Sequence, residues 1–426
     1  MKKFKFDIDY VREQFPCLCK TVNGYPAAFL DGPGGTQVPR RVVEAISEYL
    51  FYHNANAHGS YKTSIETMDL VARARQTMAA FFNCSADEVV FGESSTTNNF
   101  KLVLAIARDL KPGDEVIITD IDHESNRSPL RSIAERGIIV HSARVDLDTY
   151  TLDVDDFLSK LSPRTKVVAI NWAANANGSI TDIKPLVEKA RNLGAITIID
   201  GVHYAAHKSI DVKEIGMDFL VTSAYKFFGP HMGVMYAKKE TMEKLRTYRV
   251  LADDNAEPPV KIEMGTPNFE HICGCAAAVE FIADIGKRHA EYFSEELKGL
   301  EGLRCDVVAG MMAIDAYEEP MAEKLRMELA KLEGLRLRTS PEGYPKTSTV
   351  SFTIDGVHAN DIAVYLGERG LFVWDGDFYA IEITNHVLKL EEQGGLLRIG
   401  LAPYNTMEEI DRTICALQDF IKERKA

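Results

Sequence analysis

The chain has 426 residues, of which 46% are hydrophobic and 26% charged, and its formal net charge is −14. A chain of this length is too long for one ordinary hydrophobic core, so two domains are expected. Acidic and basic residues are interspersed, which disfavours a nucleic-acid or anionic-membrane surface.

The first residues, MKKFKFDIDYVREQF, lack an apolar core of signal-peptide length, and no later window approaches a membrane span. A cytoplasmic protein is therefore expected. Seven cysteines are scattered through the chain, and their odd number argues against a disulfide framework. His271, Cys273 and Cys275 have alternate spacing with no second cluster, so we expect buried thiols at a helix start and no metal site.

The first quarter of the chain alternates helices with loops rich in turn-forming residues. A short helix is predicted over 9–15, a strand over 25–30, and helices over 42–50 and 67–82. The strand leads into DGPGGTQVP, a loop whose backbone can approach a ligand or a partner chain closely. His58 lies in the loop NANAHGS, either as a histidine bonded to the backbone or as a substrate-binding residue.

The next strand, over 89–91, leads into a hydroxyl-rich turn, ESSTT, and a helix over 98–110. Unpaired N–H groups and the helix dipole converge at such a turn, which makes it a candidate phosphate site. Ordinary N-capping by the same hydroxyls is the alternative.

Three further strands are predicted over 115–118, 138–141 and 166–170. The first ends in DIDHESN, which contains His123, and the third ends in NWAANANGS, which contains Asn175. A histidine titrates near neutrality and can relay protons. From the residues alone, His123 is interpreted as a surface turn residue.

The stretch 195–237 places a carboxylate and an amine at the ends of two apolar strands. Asp200 ends the strand 195–199, and Lys226 follows the strand 219–221. Ligands bind at this edge of open α/β sheets. The apolar residues after Lys226 would desolvate its amine, and a neutral amine can attack an aldehyde while an aspartate holds a pyridinium proton. A turn cap and a solvated lysine are the alternative interpretation.

The segments IIDGVHYAAH and SAYKFFGPHMG resemble the cofactor motifs of class V aminotransferase-fold enzymes, nearest to the group II cysteine desulfurases and their desulfurase-like relatives. The resemblance extends over essentially the whole chain. It implies an α/β, fold-type I transferase dependent on pyridoxal 5'-phosphate. A large domain with a mixed, mostly parallel sheet is expected over 21–284, a smaller α+β domain over 285–426, and residues 1–20 are expected to pack with the small domain.

The resemblance also implies a role for each motif residue. Lys226 forms the Schiff base, Asp200 holds the ring nitrogen protonated, and His123 lies over the pyridine ring. The remaining cofactor ligands are Ser95 and Thr96 at the phosphate, Asn175 and His203 near the phenolic oxygen, and Ser223 and Tyr225 as further phosphate donors. His203 stands where the family usually has glutamine, Tyr225 where it has histidine, and Ser94 where it has glycine.

Two further motifs concern the partner subunit and the substrate. The run GTPN is similar to an element whose threonine reaches the phosphate in the other subunit, so Thr266 implies a homodimer with shared active sites; a plain turn is the alternative. The segment GLLRIGLAPYNT matches the family's carboxylate clamp. Arg398, together with Asn175, is thus expected to bind the carboxylate of a small amino acid, unless it pairs with an acid such as Glu408.

The small domain departs from the desulfurase pattern at the nucleophile. Its predicted helices cover 287–300, 321–332, 360–369 and 407–422, and its strands cover 349–353 and 371–374. The segment GLFVWDGDFYAIEI puts Tyr379 at the family's cysteine position, and no cysteine lies between Cys305 and Cys415. A phenol cannot accept sulfane sulfur, so the family resemblance does not imply the family reaction.

The functional hypothesis is therefore a carbon–sulfur β-lyase acting on cysteine or a cysteine derivative. An aminotransferase or epimerase is the alternative within the family. A true desulfurase would need an atypical cysteine, for which Cys273 and Cys275 are the candidates. A non-catalytic scaffold predicts loss of Lys226 or Arg398, and both are present.

Overall fold

The computed structural model describes residues 4–250 and 256–425. Within them the helices are α1 (Ile8–Glu13), α2 (Arg40–Glu48), α3 (Lys62–Phe82), α4 (Ser95–Ile106), α5 (Glu124–Ser132), α6 (Val154–Ser159), α7 (Lys184–Asn192), α8 (Val212–Ile215), α9 (Lys239–Lys244), α10 (Phe269–His289), α11 (Gly302–Leu329), α12 (Ala359–Gly367) and α13 (Met407–Lys425). The strands are β1 (Thr21–Val22), β2 (Tyr25–Pro26), β3 (Ala28–Phe29), β4 (Val89–Gly92), β5 (Glu115–Thr119), β6 (Ile139–Ala143), β7 (Val145–Asp146), β8 (Thr151–Leu152), β9 (Thr165–Asn171), β10 (Ile196–Asp200), β11 (Phe219–Ser223), β12 (Gly233–Ala237), β13 (Leu335–Leu337), β14 (Thr349–Ile354), β15 (Leu371–Phe372), β16 (Trp374–Gly376) and β17 (Leu396–Gly400).

The larger sheet has seven strands in the order β4-β12-β11-β10-β9-β5-β6. Its neighbouring pairs are parallel except those made by β12, which runs antiparallel to β4 and β11. The central strands are apolar and buried, as expected where helices cover both faces of a parallel sheet. The predicted α/β fold with a mixed, mostly parallel sheet is confirmed.

Three neighbouring strands of this sheet end in polar residues. Asn171 ends β9, Asp200 ends β10 and Ser223 ends β11. The strands run parallel with Asp200 in register with Asn171. Their polar ends therefore meet at one edge, where open α/β sheets bind ligands.

The smaller sheet is antiparallel and has the order β13-β14-β17-β16. Helices α11, α12 and α13 pack on it around a separate apolar core. Ala28 and Leu30 join this core, β3 pairs with β15, and Asp31 forms a bridge with Gly400. Residues 28–31 therefore pack against the C-terminal part of the chain.

The N-terminal residues also contact later parts of the chain. The rings of Phe6 and Tyr317 stack with centroids 4.2 Å apart, and Arg12 pairs with Glu409 at 3.0 Å. The predicted division at residues 284 and 285 falls inside α10. The domain boundaries themselves remain a prediction.

One predicted helix is wrong. The prediction placed a helix over 287–300, whereas α10 ends at His289 and α11 begins at Gly302. Gly299 and Gly302 have φ angles of 82° and 54°, which interrupt a right-handed helix. Helix α11 then continues through Pro320 to Leu329, so the helix predicted to begin at residue 321 is the end of a longer one.

Candidate active site

A cavity of about 620 Å³ lies between the polar edge of the larger sheet and the segment 374–379 of the smaller sheet. Nine predicted site residues line it: Ser95, Thr96, His123, Asn175, Asp200, His203, Tyr225, Lys226 and Arg398. Ser223 is buried at the end of β11 without lining the cavity, and the exposed His58 and Thr266 also lie outside its lining. The fold therefore brings together residues that are far apart in sequence.

Asp200 and Lys226 face the same cavity from neighbouring strand ends. Asp200 is only 4% exposed, and burial raises the pKa of its carboxyl to about 6, although the Val202 N–H donates to it at 2.9 Å. Burial lowers the pKa of Lys226 to about 7, and the charge of Arg398 adds to this. The Lys226 amine donates to the carbonyl of Pro33. An amine with this pKa is substantially uncharged at neutral pH, as a nucleophile toward an aldehyde must be.

His123 caps the start of α5 and has one ring nitrogen committed to that turn. Its Nδ1 accepts from the Ser125 N–H at 3.0 Å and lies 2.8 Å from the Ser125 hydroxyl. Burial lowers the pKa of His123 to about 4, with further contributions from the charges of Lys226 and Arg398. The ring is therefore neutral at physiological pH and suited to stack on an aromatic ligand.

Asp122 holds the turn that positions His123. Its fully buried carboxylate accepts from the hydroxyl of Thr119 and, at 2.9 Å, from the amide of Asn126. Burial raises the pKa of Asp122 to about 7, and the charge of Asp200 adds to the rise. The hydrogen bonds fix the loop after β5 against the first turn of α5.

The candidate phosphate site lies at the start of α4. Ser94 caps this helix by accepting from the Thr97 N–H at 3.0 Å, which leaves the N–H groups of Ser95 and Thr96 at the free end of the helix. Gly233 of β12 packs under this turn, and a Cβ there would lie 2.4 Å from the carbonyl carbon of Ser94. Ser94 therefore serves as the N-cap of α4.

His203 lines the cavity and has one buried ring nitrogen without a partner in the described part of the chain. Its Nε2 lies 3.0 Å from the hydroxyls of both Thr347 and Thr349, whereas its buried Nδ1 has no partner among residues 4–250 and 256–425. Burial places the pKa of His203 well below its ordinary value, and the neighbouring His207 contributes to this. The ring is thus neutral and held by two threonines that sequence reasoning did not identify.

Arg398 is held by three neighbours in the middle of the smaller sheet. Its Nη1 donates to the Asn175 carbonyl at 2.8 Å, and its guanidinium lies 3.9 Å from the centroid of the Phe378 ring. Its acidic partner is Asp31, at 3.5 Å, and not Glu408. Burial lowers the pKa of Arg398 to about 10, opposed by the charge of Asp31, so the group stays cationic. Asp31 was not identified from the sequence, because its only local signal was the glycine-rich loop DGPGG.

Strand β16 and the following residues 377–379 form the wall of the cavity that belongs to the smaller sheet. Tyr379 lines the cavity, and its ring centroid lies 5.6 Å from that of His123. The candidate cysteines lie elsewhere: Cys273 and Cys275 are buried in α10, and burial raises the pKa of both thiols, to about 11 for Cys273. Neither residue lines the cavity.

The cavity fits pyridoxal 5'-phosphate. The group has an aldehyde, a pyridine nitrogen, a phenolic oxygen and a phosphate, and the site offers a buried amine, a buried carboxylate, the orphaned His203 Nδ1 and a helix N-terminus. The buried amide oxygens of Asn171 and Asn175 also have no partner within the described residues. The fold and this cavity together define the class of fold-type I enzymes that depend on pyridoxal phosphate.

Comparison with known proteins places the chain within that class. The Aminotransferase class-V profile matches residues 28–301 and 301–413, and the chain belongs to this family, in its cysteine desulfurase-like group. The aminotransferase-like protein FGM3 of Gibberella zeae is 31% identical over 98% of this chain and 99% of its own length. A cysteine desulfurase of Pectobacterium carotovorum is 28% identical over 97% of this chain and 98% of its own length. The chain is thus an enzyme of a family that uses pyridoxal phosphate, as predicted.

Solved structures are similar over nearly the whole chain. The apo cysteine desulfurase of Thermococcus onnurineus has a TM-score of 0.84 at 24% identity and covers 99% of this chain and 100% of that one. The Escherichia coli cysteine desulfurase CsdA, in its S-sulfonic acid form, has a TM-score of 0.81 at 24% identity and covers 98% and 99%. At these identities the similarity shows the fold alone.

Two observations concern membranes and metals. Within residues 4–250 and 256–425, no helix combines the length and the apolar character that crossing a bilayer requires. In the same residues, no group of three or more His, Cys, Asp or Glu side chains is arranged to hold a metal ion.

Proposed function

We propose that this enzyme is a carbon–sulfur β-lyase that acts on cysteine or an S-substituted cysteine and releases its sulfur product to solvent. The observation that supports this most directly is Tyr379, which lines the same cavity as the proposed cofactor and carboxylate residues and matches the position where the family resemblance expects a nucleophilic cysteine. A phenol cannot take up sulfane sulfur. Elimination needs only a negative charge at Cα and a leaving group on Cβ.

Lys226 and Asp200 are proposed to handle protons. Bound pyridoxal phosphate supplies an electron sink for the negative charge that forms at Cα. Lys226 binds the cofactor and then moves the proton at Cα, because a pKa near 7 gives it access to both protonation states at neutral pH. Asp200 keeps a proton on the ring nitrogen, because an ionised carboxylate stabilises a cationic partner.

Four hydroxyl-bearing residues are proposed to bind the phosphate. Ser95 and Thr96 offer backbone N–H groups at the start of α4, where the helix dipole favours an anion. Tyr225 lines the cavity beside Lys226, and Ser223 ends the adjoining strand. Their hydroxyls add charge-assisted hydrogen bonds.

The ring and the substrate are proposed to be held by four further residues. His123 stacks on the cofactor ring in its neutral form, and the orphaned Nδ1 of His203 meets the phenolic oxygen. Arg398 binds the substrate carboxylate, since a guanidinium held by its neighbours reads a carboxylate through two hydrogen bonds. Asn175 lies beside it with a free amide oxygen.

A desulfurase that uses Cys273 or Cys275 is disfavoured by their surroundings. Reactive cysteines need a lowered pKa and access to the substrate. Burial instead raises the pKa of both thiols, and both lie outside the lining of the cavity.

The active unit is proposed to be a homodimer whose subunits complete each other's sites. Exposed apolar side chains follow one another along α2, the turn after it and the start of α3, and this turn contacts both helices. These side chains are Val43, Leu50, Phe51, Tyr52, Tyr61, Ile65 and Met68. A patch of this kind marks a protein interface. Thr266 and His58 are exposed and lie outside the cavity of their own subunit, which suits residues that reach the partner's phosphate and substrate.

One experiment separates the family's reactions. Purified protein is incubated with L-cysteine, S-methyl-L-cysteine or L-alanine, and pyruvate, ammonia, sulfide, alanine and pyridoxamine phosphate are measured together. A β-lyase yields pyruvate and ammonia in equal amounts, with sulfide released from cysteine. Alanine with an enzyme-bound persulfide would contradict the proposal, as would pyridoxamine phosphate without ammonia. Lys226→Ala is the inactive control.

A further inference from the structure

Tyr379 occupies a distinct place in the cavity. It lines the side formed by the segment 374–379, and its ring lies 5.6 Å from the ring of His123, which faces the cavity from the larger sheet. Its side chain is 69% exposed, so the phenol faces the cavity and solvent together. It therefore stands at the mouth of the site.

The backbone around Tyr379 is held in an unfavourable conformation. Phe378 and Tyr379 have φ angles of 57° and 56°, in the left-handed region that bulky residues rarely adopt. Asn175 donates to the Phe378 carbonyl at 2.9 Å, and the Glu124 N–H donates to the Tyr379 carbonyl at 2.7 Å, which ties the loop to the start of α5. The Tyr379 N–H donates to the Asp377 carboxylate at 2.9 Å. Strain that hydrogen bonds maintain at a cavity is typical of functional positions, and here it fixes where the phenol stands.

The other ionisable groups that line the cavity are committed or cannot give up a proton. The proposed function uses Lys226 at Cα, Asp200 at the ring nitrogen and Arg398 at the carboxylate. His123 and His203 have strongly lowered pKa values because they are buried, so neither ring is an imidazolium at neutral pH. Of these five residues, therefore, only Lys226 gains a proton during the reaction, and it takes that proton from Cα on the side of the larger sheet.

Four other groups remain at the cavity: Asp31 beside its lining, and Asp375, Asp377 and Tyr225 within it. Each of the three carboxylates accepts from a donor: Asp31 from Arg398, Asp375 from the Asn360 amide and Asp377 from the Tyr379 N–H. The Tyr225 ring stacks on His231, and its centroid lies 4.7 Å from the Lys226 amine. The Tyr225 phenol therefore lies on the Lys226 side of the cavity. Tyr379 is the remaining ionisable O–H donor, and it stands on the side of the smaller sheet.

We infer that Tyr379 is a catalytic general acid that protonates the sulfur departing from the substrate's Cβ. The inference rests on the proposed lyase function. The Cβ–S bond breaks and its electron pair stays on sulfur, while the pair left at Cα after Lys226 removes the proton forms the Cα–Cβ double bond. The phenol O–H bond breaks, an S–H bond forms, and solvent returns a proton to the exposed phenolate. The substrate class is cysteine and S-alkyl cysteines, whose thiolate leaving groups benefit from protonation.

The test compares two leaving groups in the holoenzyme. S-methyl-L-cysteine releases a thiolate that needs a proton, whereas 3-chloro-L-alanine releases chloride, which needs none. In Tyr379→Phe, kcat for S-methyl-L-cysteine should fall by about 10²-fold to 10⁴-fold, the usual contribution of a positioned acid, and by far more than kcat for 3-chloro-L-alanine. Tyr25→Phe, at another exposed tyrosine, should leave the ratio of the two rates unchanged. Equal losses on both substrates, or no loss, would overturn the role of Tyr379.

If the proposed lyase function is wrong, the same assays give a different result from the one that would overturn the role of Tyr379. Wild-type enzyme that yields pyruvate from neither compound would overturn the proposed function and the inference together. A second variant, Tyr379→Cys, has a readout that is independent of turnover. With L-cysteine it should acquire the mass of one added sulfur at residue 379, while the wild type acquires none, because this position reaches the substrate sulfur. A cofactor-loaded Tyr379→Cys protein without that added mass would show that the position lies out of reach.

Discussion

The lowered pKa of Lys226 leads to a quantitative prediction for cofactor binding. Burial, with the charge of Arg398, brings this pKa from 10.5 to about 7, and Asp31 and Asp200 oppose the shift. A lowered pKa means that the ammonium loses its proton as pH rises through about 7. Roughly a tenth of the amine is then uncharged at about pH 6, half at about pH 7 and nine-tenths at about pH 8. For an amine with the ordinary pKa, the uncharged fraction would instead rise tenfold per pH unit throughout this range.

The assay mixes cofactor-free protein with pyridoxal phosphate and follows the absorbance of the imine. Its initial rate should rise about tenfold between about pH 6 and pH 8 and then level off. Lys226→Ala should give no adduct trapped by borohydride, which assigns the signal to this residue. Asp31→Asn removes a charge that favours the ammonium, so the midpoint should move to lower pH. An initial rate of imine formation that still rises tenfold per pH unit beyond about pH 8 would refute the lowered pKa of Lys226.

Three further predictions concern the substrate, the phosphate turn and the interface. Arg398→Met should raise KM for the amino acid more than tenfold, since each lost hydrogen bond to a charged group costs about 1.5–3 kcal/mol; unchanged KM in steady-state assays would contradict the clamp. Gly233→Ala should destabilise the protein by about 1–3 kcal/mol in urea unfolding, because its Cβ would meet backbone, whereas Gly367→Ala, with open space, should not. Phe51→Glu, at a side chain 76% exposed, should yield monomers by sedimentation, and an intact dimer would rule out this interface.

The residues that sequence reasoning located are those fixed by local pattern. Asp200 and Lys226 follow apolar strands, and the polar ends of neighbouring parallel strands must meet. His123 follows a third strand in the same way. Local pattern together with the family motifs therefore suffices to predict which edge of the sheet lines the cavity.

The residues that were missed depend on contacts between distant parts of the chain. Thr347 and Thr349 meet His203 from 144 and 146 positions away, and Phe378 lies under Arg398 because of the fold of its loop. No spacing in the sequence encodes such contacts. The helix predicted over 287–300 failed because its apolar period continues past His289, where α10 ends; the left-handed Gly299 and Gly302 only separate this segment from α11.

The bridge between Asp31 and Gly400 has a consequence for the order of assembly during synthesis. Asp31 and Arg398 are 367 positions apart, and β3 meets β15 only when the C-terminal strands exist. Lys226, Asp200 and His123 belong to elements complete by Ala237, whereas the carboxylate clamp awaits β17. Under the proposed role of Arg398, a nascent chain thus completes the lysine side of its site long before it can discriminate amino acids from other amines, and selectivity is acquired only with the last strand.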